Sequence, residues 1–108
     1  MHTNRIHRLE SMIVENPRDT FALFALAKEY EKTNNYIKSV ELFERLLVID
    51  SNYLGAYYHL AKTYEQIGEV KKALNIYETG ISLAIEQNNT HTLSELRNAK
   101  MNLEIELS

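Results

Sequence analysis

Residues 20–53 and 54–87 can be laid over one another without a gap, and this 34-residue repeat constrains the fold more than any other feature of the chain. Eight positions are identical: Ala22/Ala56, Leu26/Leu60, Ala27/Ala61, Lys28/Lys62, Tyr30/Tyr64, Glu31/Glu65, Lys38/Lys72 and Glu44/Glu78. Leu23/Tyr57, Phe24/Tyr58, Tyr36/Val70, Val40/Leu74, Phe43/Tyr77 and Leu47/Ile81 are similar. Unrelated windows of this composition would share about two or three identities. A unit of this length cannot bury its apolar side alone, so copies must stack, each against its neighbour.

Inside each copy the apolar period is helical. Leu23, Leu26, Ala27 and Tyr30 fall at i, i+3, i+4 and i+7, and Tyr57, Leu60, Ala61 and Tyr64 repeat the spacing. A second stripe follows a break: Val40, Phe43 and Leu47 in one copy, Ala73, Tyr77 and Ile81 in the other. The break holds Asn34 and Gly68 in aligned positions, and both residue types accept the left-handed conformation that ends a helix. Each copy therefore reads as helix A, a short turn and helix B, with Asp19 and Asn52 expected as N-caps of the two A helices. Composition agrees. Three glycines and one proline in 108 residues leave little material for hairpin turns, so the class is all-α rather than β. The size fits a single domain over residues 1–108.

The unit resembles a tetratricopeptide repeat. Its pattern of large, Leu, small and aromatic residues in helix A, then small, aromatic and small in helix B, is met by Tyr57, Leu60, Ala61, Tyr64, Gly68, Ala73, Tyr77 and Gly80. The first copy offers Leu23, Leu26, Ala27, Tyr30, Asn34, Ser39, Phe43 and Leu46, departing from the pattern at Leu46 and at Ser51, where a closing proline is usual. Pro17 stands in the closing position of a preceding partial copy, which makes residues 3–15 an orphan B helix with Leu9 and Met12 facing inward. The resemblance implies a small stand-alone α-solenoid of antiparallel helix pairs: repeat 1 over 20–53, repeat 2 over 54–87, and a helix at each end. It also implies a concave groove lined by A helices, where the family binds peptides.

The ends of such a stack must be closed. Leu93, Leu96, Leu103 and Leu107 form a stripe in a capping helix over 90–107, with Thr92-Leu93-Ser94-Glu95 as a candidate capping box after the loop Asn88-Asn89-Thr90. Met101 and Ile105 fall off that stripe. They either close around the core or form a patch through which two chains pair as a homodimer.

The pattern holds little chemistry. Without cysteine there are no disulfides, no thiol catalysis and no thiolate metal site. The histidines His2, His7, His59 and His91 show no metal-ligand spacing, and no glycine-rich phosphate loop occurs. Ser82 is in mid-helix without an activating base, and Glu104 and Glu106, two apart on a helix, face different directions. The expectation is a protein with no enzymatic activity, no metal and no cofactor. A net charge of −3 gives no reason to expect nucleic acid, and no apolar run approaches the roughly 20 residues that span a bilayer. With no targeting signal, a cytoplasmic location is expected.

What remains is a partner-binding face. Residues 21, 24, 28 and 31, and 55, 58, 62 and 65, adjoin the buried A-helix stripes. Stacking should place Phe24 beside Tyr58, Lys28 beside Lys62 and Glu31 beside Glu65, with His59 next to them. Aromatic and lysine pairs together can hold an apolar side chain and an acidic group of a peptide. The alternative for the aromatics is simple packing between A helices, and for the charges, surface pairs. Some tetratricopeptide domains clamp a chaperone's C-terminal carboxylate with Lys, Asn and Arg. Here Lys28 and Lys62 match, Ala25 and His59 stand where asparagine is wanted, and both A helices lack arginine. The resemblance thus implies a protein or peptide partner without naming it.

Overall fold

The computed structural model describes residues 2–108, with side chains from Asn4 onward. It contains six helices: α1 His2–Glu15, α2 Thr20–Lys32, α3 Tyr36–Ile49, α4 Leu54–Gln66, α5 Val70–Glu86 and α6 Thr90–Leu107. There is no strand among the described residues. The helices form an all-α solenoid 42 × 28 × 21 Å in extent, in which α2 pairs with α3 and α4 with α5.

The turns explain where helices stop. Asn34 and Gly68 both take positive φ, 62° and 80°. In each turn the amide three residues past the helix end returns to the last turn: Asn35 N–H donates to the Tyr30 carbonyl at 2.8 Å and Glu69 N–H to that of Tyr64 at 2.9 Å. These close the orphan carbonyls of an A helix in the way a left-handed cap requires. Asn88 (φ 55°) repeats the device after α5. Asp19 caps α2, its carboxylate accepting from Ala22 N–H at 3.0 Å. Asn52 does not cap α4. The helix begins one residue later, Tyr53 holds the cap position, and Asn52 instead donates its own N–H to Asp50 Oδ1 at 3.0 Å. The box at 92–95 does not form either, because Asn89 caps α6 by accepting from Thr92 N–H, starting the helix earlier.

The core runs through all six helices. Ala27 and Ala61 are fully buried at the seams where A and B helices meet, and in the first repeat Ser39 Oγ donates to the Ala27 carbonyl at 2.9 Å. In α1 the buried residues are Leu9 and Ile13, while Met12 lies half-buried at the edge, one position off the expected stripe. In α6, Leu96, Ala99 and Leu103 are buried, whereas Leu107 lies past the end of the underlying core and is half exposed.

Successive repeats are joined by a recurring hydrogen bond. Tyr30 Oη donates to Glu10 Oε2 at 2.9 Å, and 34 residues later Tyr64 donates to Glu44. Lys38 lies over the Tyr30 ring and Lys72 over the Tyr64 ring, at 5.2 and 5.7 Å. This places α1 in the register of a B helix. Burial raises the Tyr30 and Tyr64 phenols above their ordinary pKa, and the hydrogen-bonded carboxylates push further the same way. At the other end α5 has 17 residues where α3 has 14, and α6 starts 36 residues after α4 rather than 34. With that shift Lys100 takes the tyrosine position and reaches Glu78, the aligned carboxylate, at 4.0 Å. So α6 is an A helix in register, docked on α5.

The departure at Leu46 has a packing reason. A Cβ added at the aligned Gly80 would lie 2.9 Å from Tyr57 Cβ. The first copy holds Leu23 and Leu46 at these two positions, both fully buried. One copy fills the space with two leucines, the other with a tyrosine and a glycine.

Candidate partner-binding face

Phe24, Lys28 and Glu31 on α2, and Tyr58, His59, Lys62 and Glu65 on α4, are all half-buried. They border the fully packed stripes Leu23/Ala27 and Leu60/Ala61, so the helix that buries those residues must leave its flank partly open.

His59 organises the strip. Its ring centroid lies 5.7 Å from that of Phe24 and 5.6 Å from that of Tyr58, edge-on to both, and it stacks at 6.0 Å on Phe43 of α3. Its Nδ1 is 3.2 Å from Glu31 Oε1. The expected Phe24–Tyr58 rung is therefore mediated by an imidazole between the two rings. Phe24 also packs on Tyr53 at 5.1 Å and Phe43 at 6.0 Å, which holds its ring in one orientation.

The charged rungs diverge. Glu31 turns to His59, whereas Glu65 accepts a hydrogen bond from the Tyr77 hydroxyl of α5. Burial and that carboxylate raise the Tyr77 phenol well above its ordinary value. Lys28 Nζ lies over the Phe24 ring, 5.4 Å from its centroid. The strip thus offers aromatic rings and the Lys28 ammonium group, with its carboxylates already engaged.

Next to it, between α1 and α2, is a cleft of about 220 Å³ lined by Arg5, Phe21, Phe24, Ala25, Lys28, Glu29 and Lys32. Phe21 is 62% exposed, while Glu29 is 4% exposed and is approached by Arg5 Nε at 3.4 Å and Lys32 Nζ at 3.5 Å. Sequence reasoning placed residue 21, Phe24 and Lys28 on this flank and Ala25 in an inner slot, but did not single out Arg5, Glu29 or Lys32. The available signal was Phe21, a large apolar residue aligned with Gly55 on the outer flank of an A helix.

Elsewhere, Met101 and Ile105 are 51% and 63% exposed on α6. His7 and His91 are exposed, and the side chain of His2 lies outside the described residues. Among the described residues no group of three His, Asp or Glu is placed to hold a metal, and no helix is long and apolar enough to cross a membrane.

The profile of the tetratricopeptide repeat matches residues 22–53 and 54–84. The chain belongs to the tetratricopeptide repeat family. Among solved structures, the tetratricopeptide repeat domain protein of Salinibacter ruber is 41% identical with a TM-score of 0.75, the match covering 80% of this chain and 96% of that one. The TPR2B domain of yeast Sti1, solved in a complex named for pHsp70, superposes with a TM-score of 0.90 at 18% identity, covering 97% and 84% of the two chains. PcrH, in complex with the chaperone-binding region of PopD, gives 0.92 at 12% identity, covering 99% and 81%. The last two likenesses are of fold. No curated protein matches the chain.

The two repeats differ at the His59 position. The aligned residue in the first repeat is Ala25, so an imidazole enters the strip only once, at the junction of the two A helices.

Proposed function

We propose that this tetratricopeptide repeat protein is a non-catalytic interaction module that binds a peptide or partner protein along the groove of its A helices. The binding residues are Phe24, Lys28, Glu31, Tyr58, His59, Lys62 and Glu65. The observation that carries the reading is the state of those seven side chains: each is half-buried, none is fully packed, and they form one strip across two helices. An aromatic held by its neighbours loses little freedom on binding, and the adjoining lysines supply long-range attraction. The Sti1 and PcrH structures, each solved with a bound partner region, are consistent with a fold suited to this use. The test is an affinity capture with the whole chain against a variant carrying Lys28→Glu, Tyr58→Ala and Lys62→Glu, its fold checked by circular dichroism. A partner held by the wild type and lost by the variant is expected. Partners retained equally by both would overturn the assignment.

A second reading rests on the exposure of Met101, Ile105 and Leu107, at 51, 63 and 54%. Three large apolar side chains along one terminal helix suit pairing with another copy. Light scattering that shows a dimer, abolished by Met101→Glu with Ile105→Glu, supports it; a monomer at every concentration removes it.

A further inference from the structure

A second cleft, of about 230 Å³, lies between the B-type helices α1 and α3. Its floor is apolar: Ile13 of α1, Leu26 and the Tyr30 ring of α2, and Leu42 of α3. Ile13 and Leu26 belong to the core, while Leu42 is half-buried. By the helical period Leu26 and Tyr30 lie on the side of α2 turned away from Phe24 and Lys28, so the cleft faces away from the strip. Helices of the stack wall it on both sides. Sites that hold a drug-sized molecule run to about 300–1,000 Å³. This one has room for a large side chain with a charged neighbour at its rim.

The rim carries both signs of charge, and the fold engages its cations more fully than its carboxylates. Lys38 Nζ rests over the Tyr30 ring, and Arg45 Nη2 donates to the Pro17 carbonyl at 3.0 Å. Glu41, one helical turn from each, is exposed, and its carboxylate makes no ion pair or hydrogen bond among the described residues. Glu10, on the facing wall, takes the Tyr30 hydroxyl on Oε2 and leaves Oε1 open. The groove one repeat later, between α3 and α5, supplies a comparison. Leu47, Leu60 and Ile76 repeat the floor, and Glu44, Tyr64 and Lys72 repeat the arrangement of Glu10, Tyr30 and Lys38. Asn75 and Thr79 stand there in place of Glu41 and Arg45. What the stacking of repeats requires is thus present in both grooves, and the unpaired carboxylate in one. Val14 and Val48, one and three positions beyond Ile13 and Arg45, are 81 and 88% exposed, whereas the aligned residue of α5 is Ser82.

From these observations we propose that the α1–α3 cleft docks a segment of a partner protein that carries a basic residue beside a large apolar one. The apolar side chain enters over Ile13, Leu26 and Leu42, and the lysine or arginine meets Glu41 and Glu10 Oε1. Val14 and Val48 extend the apolar contact at the rim. An ion pair at an exposed rim contributes little affinity, so the apolar side chain supplies most of it and the carboxylates select the charge of the partner. The cleft faces away from the A-helix groove and does not depend on peptide binding there.

The probe is a displayed library of random 16-residue peptides selected on the whole chain, with the enriched sequences then synthesised and their affinities measured by fluorescence anisotropy. A class carrying Lys or Arg next to Leu, Ile, Met or Phe is expected. Glu41→Gln, an exposed change that leaves the fold intact, should weaken this class by about three- to fivefold, the range of an exposed ion pair. Adding Leu42→Ala, with folding checked by circular dichroism, should bring the loss to about tenfold or more as the apolar anchor loses its floor. Glu86→Gln, the same charge change at the far end of α5, should leave the affinity unchanged, as should Tyr58→Ala in the A-helix groove. Enrichment without the basic and apolar pairing, or no enrichment at all, would overturn the proposal. So would binders of this class that are indifferent to Glu41→Gln, or that Glu86→Gln weakens equally, since bulk charge would then account for them. Binders lost on Tyr58→Ala would overturn it too, while leaving the A-helix groove standing.

Discussion

Gly80→Ala tests the packing between α4, α5 and α6 more directly than any other single change. The new methyl carbon would sit 2.9 Å from Tyr57 Cβ and 3.2 and 3.4 Å from the two δ carbons of Leu96. Tyr57 Cβ is fixed to the α4 backbone and cannot rotate away, so α5 must move. Leu96, fully buried on α6, blocks retreat on its side. Overpacking of this kind costs about 1–3 kcal/mol, and an immovable neighbour places this site in the upper half of that range. Replacing a mid-helix glycine by alanine returns about 1 kcal/mol of helix propensity. The net is a loss of about 1–2 kcal/mol, or a fall in Tm of about 5–10 °C for a domain of this size.

Gly55→Ala is the control that separates packing from propensity. Gly55 is exposed near the start of α4, and its nearest neighbours, Phe24 Cζ and Cε1, are 3.7 and 3.8 Å away, an ordinary contact. Here only the propensity gain applies, about 0.5 kcal/mol near a helix end. Thermal and urea melts of the two variants by circular dichroism should therefore move in opposite directions. A Gly80→Ala protein that melts at or above the wild type would refute the argument.

Four further outcomes follow from the structure. Tyr64→Phe removes the bond to Glu44 and should cost about 0.5–1.5 kcal/mol in a urea melt, with Tyr30→Phe similar, since both acceptors can turn to water. Asp19→Ala should cost about 1 kcal/mol as a lost cap, whereas Asn52→Ala, which removes no cap, should stay within about 0.5 kcal/mol. Leu96→Ala should cost about 2–5 kcal/mol, and equal stability would mean α6 does not close the core. Tyr30, Tyr53, Tyr57, Tyr64 and Tyr77 all have phenols raised above their ordinary value, chiefly by burial. The unfolded chain then loses these protons first, so their contribution is whole below about pH 10 and declines as pH rises beyond it. Absorbance at 295 nm followed alongside circular dichroism should show phenolate appearing together with unfolding.

The helices were legible because burial on one face of a helix writes a period into the sequence. Leu23, Leu26, Ala27 and Tyr30 and their partners 34 residues on declare it twice, and Asn34 and Gly68 mark turns whose backbone few residue types tolerate. Cap positions were less legible. Asn52 is a good capping residue one place too early, and the chain settles the matter by where the turn after Asp50 ends. The capping box at 92–95 was overruled by the shorter link after α5, which lets Asn89 start α6 sooner. Met12 was placed inward because a one-residue error in phase is invisible when only a few apolar residues define the stripe, whereas Leu107 keeps the phase of Leu96 and Leu103 but stands half exposed at the end of α6.

The face was legible in membership but not in connection. A repeat alignment pairs like with like, so it set Glu31 beside Glu65 and Phe24 beside Tyr58. Contacts between stacked helices instead join unlike positions: Glu31 meets His59, 28 residues on, and Glu65 meets Tyr77. The same reasoning explains why the α1–α2 cleft was missed. Arg5, Glu29 and Lys32 carry no signal in each copy taken alone. They come together only in three dimensions, where α1 and α2 meet. At the other end the two extra residues before α6 carry Lys100 to Glu78, so an ion pair stands where a tyrosine would hold the seam. The last helix therefore keeps the register of the stack although the chemistry that ties it to the core has changed.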